Sequence, residues 1–231
     1  MVELIRPPKQ RLLVFARLPE LGQVKTRLAA AIGDERALAA YEAMLRDLFA
    51  GLGEFTNGTE LEVLWAPTER ANGESLTRAF GDRSLAMQTG ADLGDRLSMA
   101  FSERFFFHRT QKIVAIGVDE PTLGRETIDH AFALLDSVDW VIGPATDGGY
   151  YLIGCRAAAF TAEVFTGIEW GTSTVFATTM AKIGSGENTV AVLPERSDID
   201  VVDDLRRFAA EANANATGGE LARLVRAWEL P

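Results

Sequence analysis

Residues 143–154 read GPATDGGYYLIG, and the fold turns on how this stretch is read. An apolar strand runs into Asp147-Gly148-Gly149, and a second apolar strand starts at Tyr150. Asp-Gly between two apolar runs is the mark of a type I′ hairpin turn. A hairpin means two antiparallel neighbours. The same residues also place a carboxylate beside bare backbone, which suits a loop that a substrate approaches.

The rest of the chain has another rhythm. Strands are expected at RLLVFA (11–16), LEVLWA (61–66), SLAMQ (84–88), KIVAIG (112–117), in DWVIGPA and YYLIG, and at 189–193. Helical patterns fall at 28–52, 73–80, 95–107, 122–136, 157–165, 172–184, 200–212 and 219–229. The first should break at Gly33-Asp34, with Asp34 capping the second piece. Asp92 and Asp95 favour the start of the 95–107 helix. Strands alternating with helices imply a largely parallel sheet covered on both faces. The hairpin makes that sheet mixed. The expected fold class is α/β, a three-layer α/β/α arrangement around a central mixed, mostly parallel sheet. One domain should span 1–231, with the helices from about 200 to 231 packed on it and EANANATGGE (211–220) joining the last two.

Composition bounds the function. With 231 residues, 47% of them hydrophobic, the chain can bury one good core, about 70% of its unfolded surface. A lone cysteine, Cys155, forms no internal disulfide and suits a reducing compartment. The N-terminus lacks a signal peptide's apolar stretch, and no apolar run nears the ~20 residues of a membrane span. A soluble cytoplasmic protein without a membrane partner is expected. A net charge of −10 repels nucleic-acid backbones, so no nucleic-acid partner is expected either. Residues 1–27 nevertheless carry six basic side chains (Arg6, Lys9, Arg11, Arg17, Lys25, Arg27) against Glu3 and Glu20. This island suits a small anion, or is a solvated basic face. The two histidines, His108 and His130, fall in predicted helices and are too few for a His-rich metal site. Phe105-Phe106-Phe107 reads as core at a helix end, with a homodimer contact as the second reading.

Five segments can carry chemistry. ARLPELGQVKTRL (16–28) leaves the C-terminal end of the first strand, where open α/β sheets bind ligands. Lys25 and Arg27 then stand at a helix opening, with free N–H groups for an anion. The alternative is a pair of surface cations, disfavoured there unless an anion offsets them. No glycine directly precedes Lys25, so this is not a P-loop. In IVAIGVDEPTLG (113–124), Asp119 follows a buried strand. It is placed to hold Mg²⁺ or Mn²⁺ with substrate phosphates, or to cap the next helix, as is Thr122. In LPERSDIDVVDDL (193–205), Asp198, Asp200, Asp203 and Asp204 cluster, and one could complete a two-carboxylate metal site. QTGADLGDRL (88–97) exposes backbone at Gly90 and Gly94 for a base or ribose. EWGTSTV (169–175) offers Trp170 and the helix start Gly171-Thr172-Ser173.

Taken in order, FARLPELGQVKTRLA, QTGADLGDRL, IGVDEP, GPATDGGYYLIG, EWGTST and DIDVVDDL resemble an uncharacterised family of GT-A-type transferases. That family is commonly labelled glycosyltransferase or nucleotide-diphospho-sugar transferase. The resemblance runs from about residue 11 to 207. More distantly, the chain is similar to the molybdopterin cytidylyltransferases and the phospholactate guanylyltransferases. The resemblance implies a nucleotide-binding fold. It puts Lys25 and Arg27 on phosphate, within a nucleotide loop that includes Ala16, Arg17 and Gly22. It puts Asp119 on the metal, with Asp200 as the second acidic position and Asp198 as the fallback. Gln88, Gly90 and Gly94 fall where base and ribose are contacted. Asp147, Gly148, Gly149 and Tyr150 form a hallmark loop, grouped here with Trp170, Gly171 and Thr172 as the substrate loop. Val118 and Glu120 depart from the pattern of small residues around the metal aspartate. A binding-only protein is therefore a further alternative.

Two reactions suit these residues. Nucleotidyl transfer to a phosphate acceptor needs charge neutralisation and no side-chain base, and is slightly favoured. Glycosyl transfer to a hydroxyl needs a carboxylate base, for which Asp147 is the candidate. The partners expected are a nucleotide and an unidentified small-molecule acceptor.

Overall fold

The computed structural model describes residues 9–214 and 218–228. Glu3 and Arg6 of the basic island, residues 215–217 of the expected linker and the chain from 229 lie outside that range. Seven strands form one sheet: β1 (Gln10–Ala16), β2 (Thr59–Trp65), β3 (Ser84–Met87), β4 (Lys112–Ile116), β5 (Trp140–Pro144), β6 (Tyr150–Arg156) and β7 (Val190–Val192). Their spatial order is β3-β2-β1-β4-β6-β5-β7. Only β6 runs against its neighbours, β4 and β5; the other pairings are parallel. The sheet is thus mixed and mostly parallel, as the hairpin interrupting a βα rhythm predicts.

Strand parity builds the two outer layers, because successive side chains point to opposite faces. On one face, Leu12, Val14, Val114, Ile116, Val141 and Leu152 are buried under α2 (Asp34–Leu52) and α5 (Arg125–Leu134). On the other, Leu13, Ile113, Ala115, Trp140, Ile142 and Ile153 meet α4 (Leu93–Phe106) and α6 (Val175–Ser185). A third cluster joins α1 (Thr26–Ile32) and α2 to α7 (Val202–Ala214) and α8 (Glu220–Ala227) through Leu28, Met44, Leu205 and Leu221. Asp47 of α2 accepts the first two amides of α8, from Glu220 and Leu221. One short helix, α3 (Gly73–Phe80), links β2 to β3.

Several local expectations change. The hairpin turn is not type I′, which needs positive φ at both central residues. Gly148 has φ +89°, but Asp147 does not take a positive φ. Gly148 N–H donates to the Ala145 carbonyl and Ala145 N–H to that of Gly149, each at 3.0 Å, closing a longer loop. The cause lies beside it. Register shifts at Gly143/Pro144, and Thr146 N–H donates to the Arg196 carbonyl, so this edge pairs with residues near 196 before it turns. Asp34 is the first residue of α2 rather than its cap, which is Gly33. The α5 cap is Gly124, so neither Asp119 nor Thr122 caps that helix. Residues 157–165 form two short 3₁₀ turns that carry Val164 and Phe165 into the core. His108 lies beyond the end of α4, while His130 sits in α5; both are exposed. Of the Phe triple, Phe105 is core, whereas Phe106 and Phe107 are exposed.

Candidate functional site

After β1 the chain turns at Glu20–Gln23, with Gly22 at φ +72° in the position a type II turn reserves for glycine. The turn delivers Lys25 to the start of α1 in the left-handed region (φ 48°, ψ 43°). A non-glycine residue held there costs on the order of 1–3 kcal/mol and persists only when its surroundings demand it. Here they do. The Lys25 side chain is 5% exposed, and its ammonium donates to Asp119 Oδ1 at 2.5 Å, the Ile199 carbonyl at 2.6 Å and Asp200 Oδ1 at 2.7 Å. All three N–H donors are used. Burial alone would lower the Lys25 pKa, but Asp119 and Asp200 outweigh it and raise it, so the group stays a cation.

Backbone contacts bring the two aspartates together. Asp119 follows β4, and its carbonyl accepts the Ile199 N–H at 2.9 Å. Asp204 accepts the N–H groups of Asp200 and Val201 and so fixes this corner at the start of α7. The acidic run seen in sequence therefore divides: Asp204 holds backbone, Asp203 pairs with Arg206, and Asp200 reaches the site. Asp198 stands apart. Burial first, then the charges of Asp147, Asp200 and Asp119, push its carboxyl up to about 6.

Two cavities border this corner. The larger, of about 520 Å³, is walled by Ala16, Arg17, Lys25, Arg27, Gln88 and Arg96 among others. The smaller, of about 200 Å³, is walled by Asp147, Gly149, Trp170, Gly171, Thr172 and Asp198 among others. Both share Leu93, Gly117, Asp119, Tyr150, Tyr151 and Asp200. Ala16, Arg17, Lys25, Arg27 and Gln88 thus line one chamber and Asp147, Gly149, Trp170, Gly171 and Thr172 the other, with Tyr150 and the two aspartates common to both.

Four residues do not line either cavity. Gly22 serves the turn. A side chain at Gly90 would collide with the first turn of α4, at 2.7 Å from Arg96 N, and one at Gly94 with the Phe165 carbonyl at 2.3 Å. Their missing side chains admit neighbouring backbone rather than a ligand. Gly148 is packed against Ser173 in the same way, and its carbonyl accepts the Phe176 N–H, which locks the hairpin loop to the 170–176 segment. Gln88 lines the larger cavity, but its amide N–H groups go to the Ala16 and Leu64 carbonyls, leaving only its carbonyl oxygen near Arg96. Arg27 is 72% exposed and its guanidinium lies 3.6 Å from Asp200 Oδ2.

The basic island also divides. Arg11 is buried at the other end of β1, bonded to Glu60 and Glu62. Among the described residues of the island, Arg17, Lys25 and Arg27 reach the cavity. Helix α1 has only seven residues, so these side chains rather than its dipole supply the positive field.

Sequence reading passed over three residues. Tyr41 of α2 accepts the Arg17 N–H and donates to the Arg17 carbonyl, pinning the loop after β1. Burial pushes its phenol pKa up. Arg96 stands on the cavity wall one turn into α4, whose start is set by Asp92 capping Asp95. That cap was visible in sequence and fixes where Arg96 points. Arg196 donates to Glu120, whose other oxygen accepts from Thr122. Glu120 is therefore a brace, and Val118 is core; neither enters the Asp119–Asp200 pair.

Hard divalent cations take carboxylate oxygens and keep places for substrate phosphates. The Asp119 and Asp200 side chains are 48% and 36% exposed, and their Oδ1 atoms converge on one cation already, that of Lys25. This donor set fits Mg²⁺ or Mn²⁺ completed by a substrate. Among the described residues no three or more His, Cys, Asp or Glu side chains gather as a metal group by themselves. No helix is long and apolar enough to cross a membrane, among the same residues.

The family model described as "Uncharacterized protein conserved in bacteria (DUF2064)" matches residues 55–172. The crystal structure of a "putative nucleotide-diphospho-sugar transferase" from Desulfovibrio desulfuricans G20 is similar at a TM-score of 0.89 and 32% identity, over 94% of each chain. The inositol-1-phosphate CTP transferase of T. maritima is similar at 0.53 and 14% identity, over 95% of this chain and 97% of that one. A cytidylyltransferase from Leptospira borgpetersenii serovar Hardjo-bovis (strain JB197) is similar at 0.53 and 13%, over 95% and 93%. At such identities the last two show a shared fold. A search of curated protein sequences gave no match.

Proposed function

This chain belongs to the bacterial DUF2064 family, and we propose that it is a metal-dependent transferase whose donor is a nucleoside triphosphate or a nucleotide sugar. The observation that carries this reading is the convergence of Lys25, Asp119 and Asp200 at the corner that two cavities border. The larger cavity takes the donor. Lys25, Arg27 and Arg17 face its phosphates, and positive side chains aimed where phosphate charge develops are what phosphoryl-linked transfer requires. Asp119 and Asp200 would hold Mg²⁺ or Mn²⁺, which supplies further charge neutralisation when bound. The similarity to the "putative nucleotide-diphospho-sugar transferase" and the fold shared with cytidylyltransferases support the same donor class.

In nucleotidyl transfer the acceptor attacks the α-phosphorus and pyrophosphate leaves. In glycosyl transfer a hydroxyl attacks the sugar's anomeric carbon and a nucleotide leaves. Asp147, on the wall of the smaller cavity, favours the second. Its Oδ1 accepts the Gly149 N–H at 2.8 Å, so its other oxygen is left to take a proton. A binding-only protein is the weaker reading, since Val118 and Glu120 leave the aspartate pair intact. Titration calorimetry with nucleoside triphosphates and nucleotide sugars in Mg²⁺ tests the proposal. At least one should bind at micromolar Kd and lose about ten- to a hundred-fold in Lys25→Ala, the worth of one charge-assisted hydrogen bond. Failure of every compound to bind would end it.

A further inference from the structure

We infer that the smaller cavity is the acceptor site and that it takes an uncharged, polyhydroxylated molecule of single-ring size rather than a phosphorylated one. The inference rests on the donor reading of the larger cavity and concerns the other half of the reaction. Position comes first. The smaller cavity opens on Asp119, Asp200 and Gly117, the same corner that borders the larger one, so its occupant abuts the donor phosphates. At about 200 Å³ it is below the roughly 300–1,000 Å³ of drug-sized sites.

Charge decides the class of ligand. Five carboxylates border this space: Asp119, Glu120, Asp147, Asp198 and Asp200. Lys25 offsets Asp119 and Asp200, and Arg196 offsets Glu120 at 3.1 Å. Asp147 and Asp198 have no basic partner within 4 Å among the described residues. Ionised carboxylates only accept hydrogen bonds, and so does a phosphate, which would add about 1.5 to 2 negative charges. Hydroxyl groups donate. An amine would donate too, but nearby carboxylates favour its protonated form, which has no lone pair with which to attack.

The remaining walls suit a sugar-like ring. Tyr150 and Trp170 meet edge to face with centroids 6.3 Å apart and give this space an aromatic wall. The Thr172 hydroxyl is spent on the Glu169 carbonyl, so specificity falls to the carboxylates. In the step itself, the acceptor oxygen bonds to the donor's electrophilic carbon or phosphorus. The bond from that atom to the leaving phosphate oxygen breaks, and the leaving group keeps the electron pair. The hydroxyl proton passes to the free oxygen of Asp147.

The test is saturation-transfer NMR on the full chain with Mg²⁺ and a nucleotide that raises its melting temperature. Matched probes are glucose and glucose 6-phosphate, myo-inositol and myo-inositol 1-phosphate, glycerol and glycerol 3-phosphate. The uncharged ring compounds should bind at least tenfold tighter than their phosphates. Trp170→Ala should abolish the signal, and Asp147→Lys should close the gap within each pair. Equal or tighter binding of the phosphates, or no binding by any uncharged probe, would overturn the inference while the donor reading stands. If no nucleotide raises the melting temperature, the donor reading fails first and takes the inference with it.

Discussion

The ammonium of Lys25 stands 2.5 Å from Asp119 Oδ1, at the point on which Asp200 and the Ile199 carbonyl also converge. A resident cation thus sits where the two carboxylates would grip a divalent ion. The same lysine lines the cavity assigned to the donor phosphates. Both roles cannot be filled from one position, so loading of metal and nucleotide should move Lys25 from the aspartates to the phosphates. Lys25→Met should therefore bind Mn²⁺ alone at least tenfold more tightly than the wild type, read from the loss of the free Mn²⁺ electron-paramagnetic signal. Unchanged Mn²⁺ affinity would show that Lys25 does not guard the pair.

Tyr41 reaches the site only through backbone. Its hydroxyl holds both the N–H and the carbonyl of Arg17. Tyr41→Phe removes these bonds from a buried place and should cost about 1–2 kcal/mol of stability. It should also weaken nucleotide binding severalfold while leaving Mn²⁺ binding by the Lys25→Met protein untouched. Denaturant melts and calorimetry measure the two parts.

Asp147 separates binding from turnover. Its side chain is exposed and makes a single bond to the Gly149 amide, so Asp147→Asn should fold normally. If it is the proton acceptor, turnover should fall about 10²–10⁴-fold with nucleotide affinity unchanged. Turnover within threefold of wild type would reduce the loop to a shape-setting element.

A buried charge triad sets acid stability far from the site. Glu62 lies between Arg11 and Arg104, with bonds of 2.8 Å to each. Burial pushes its carboxyl pKa up, but hydrogen bonds and charge from Arg104 and Arg11 outweigh this and hold it below the usual range. A lowered carboxyl contributes its full stability above the ordinary glutamate value, and loses it as pH falls through the lowered one. Glu62→Gln should lose about 3 kcal/mol near neutral pH, because it removes the buried carboxylate that both guanidiniums share and leaves each with only its more exposed partner, Glu60 or Glu103. Its urea midpoint should also fall less steeply than the wild type's between about pH 5 and pH 3. Parallel acid slopes would contradict this assignment.

The sheet was legible because its signals are local. Apolar runs such as KIVAI alternate with helical patterns, and one Asp-Gly hairpin breaks the parallel order, so β6 alone runs antiparallel. The turn type was not legible. It depends on Thr146 and Ala145 pairing with Arg196, a contact fifty residues away. In the site, Lys25, Asp119 and Asp200 carried motif signals and do converge. Gly90 and Gly94 carried the same kind of signal, yet they serve packing against α4 and Phe165. A glycine records that something approaches its backbone, not what. Tyr41 was hidden for the opposite reason: it sits on the buried face of α2 among core residues, and its polar contact is with backbone that no side-chain pattern reports.

The central claim is that nucleotide phosphates and a divalent cation meet at Asp119. Thermal shift with nucleoside triphosphates and nucleotide sugars, each with and without Mn²⁺, tests it on wild type and Asp119→Ala. At least one nucleotide should raise the wild-type Tm by several degrees more with Mn²⁺ than without. In Asp119→Ala that metal-dependent increment should vanish. No shift with any nucleotide, or an increment that survives in Asp119→Ala, would contradict the account.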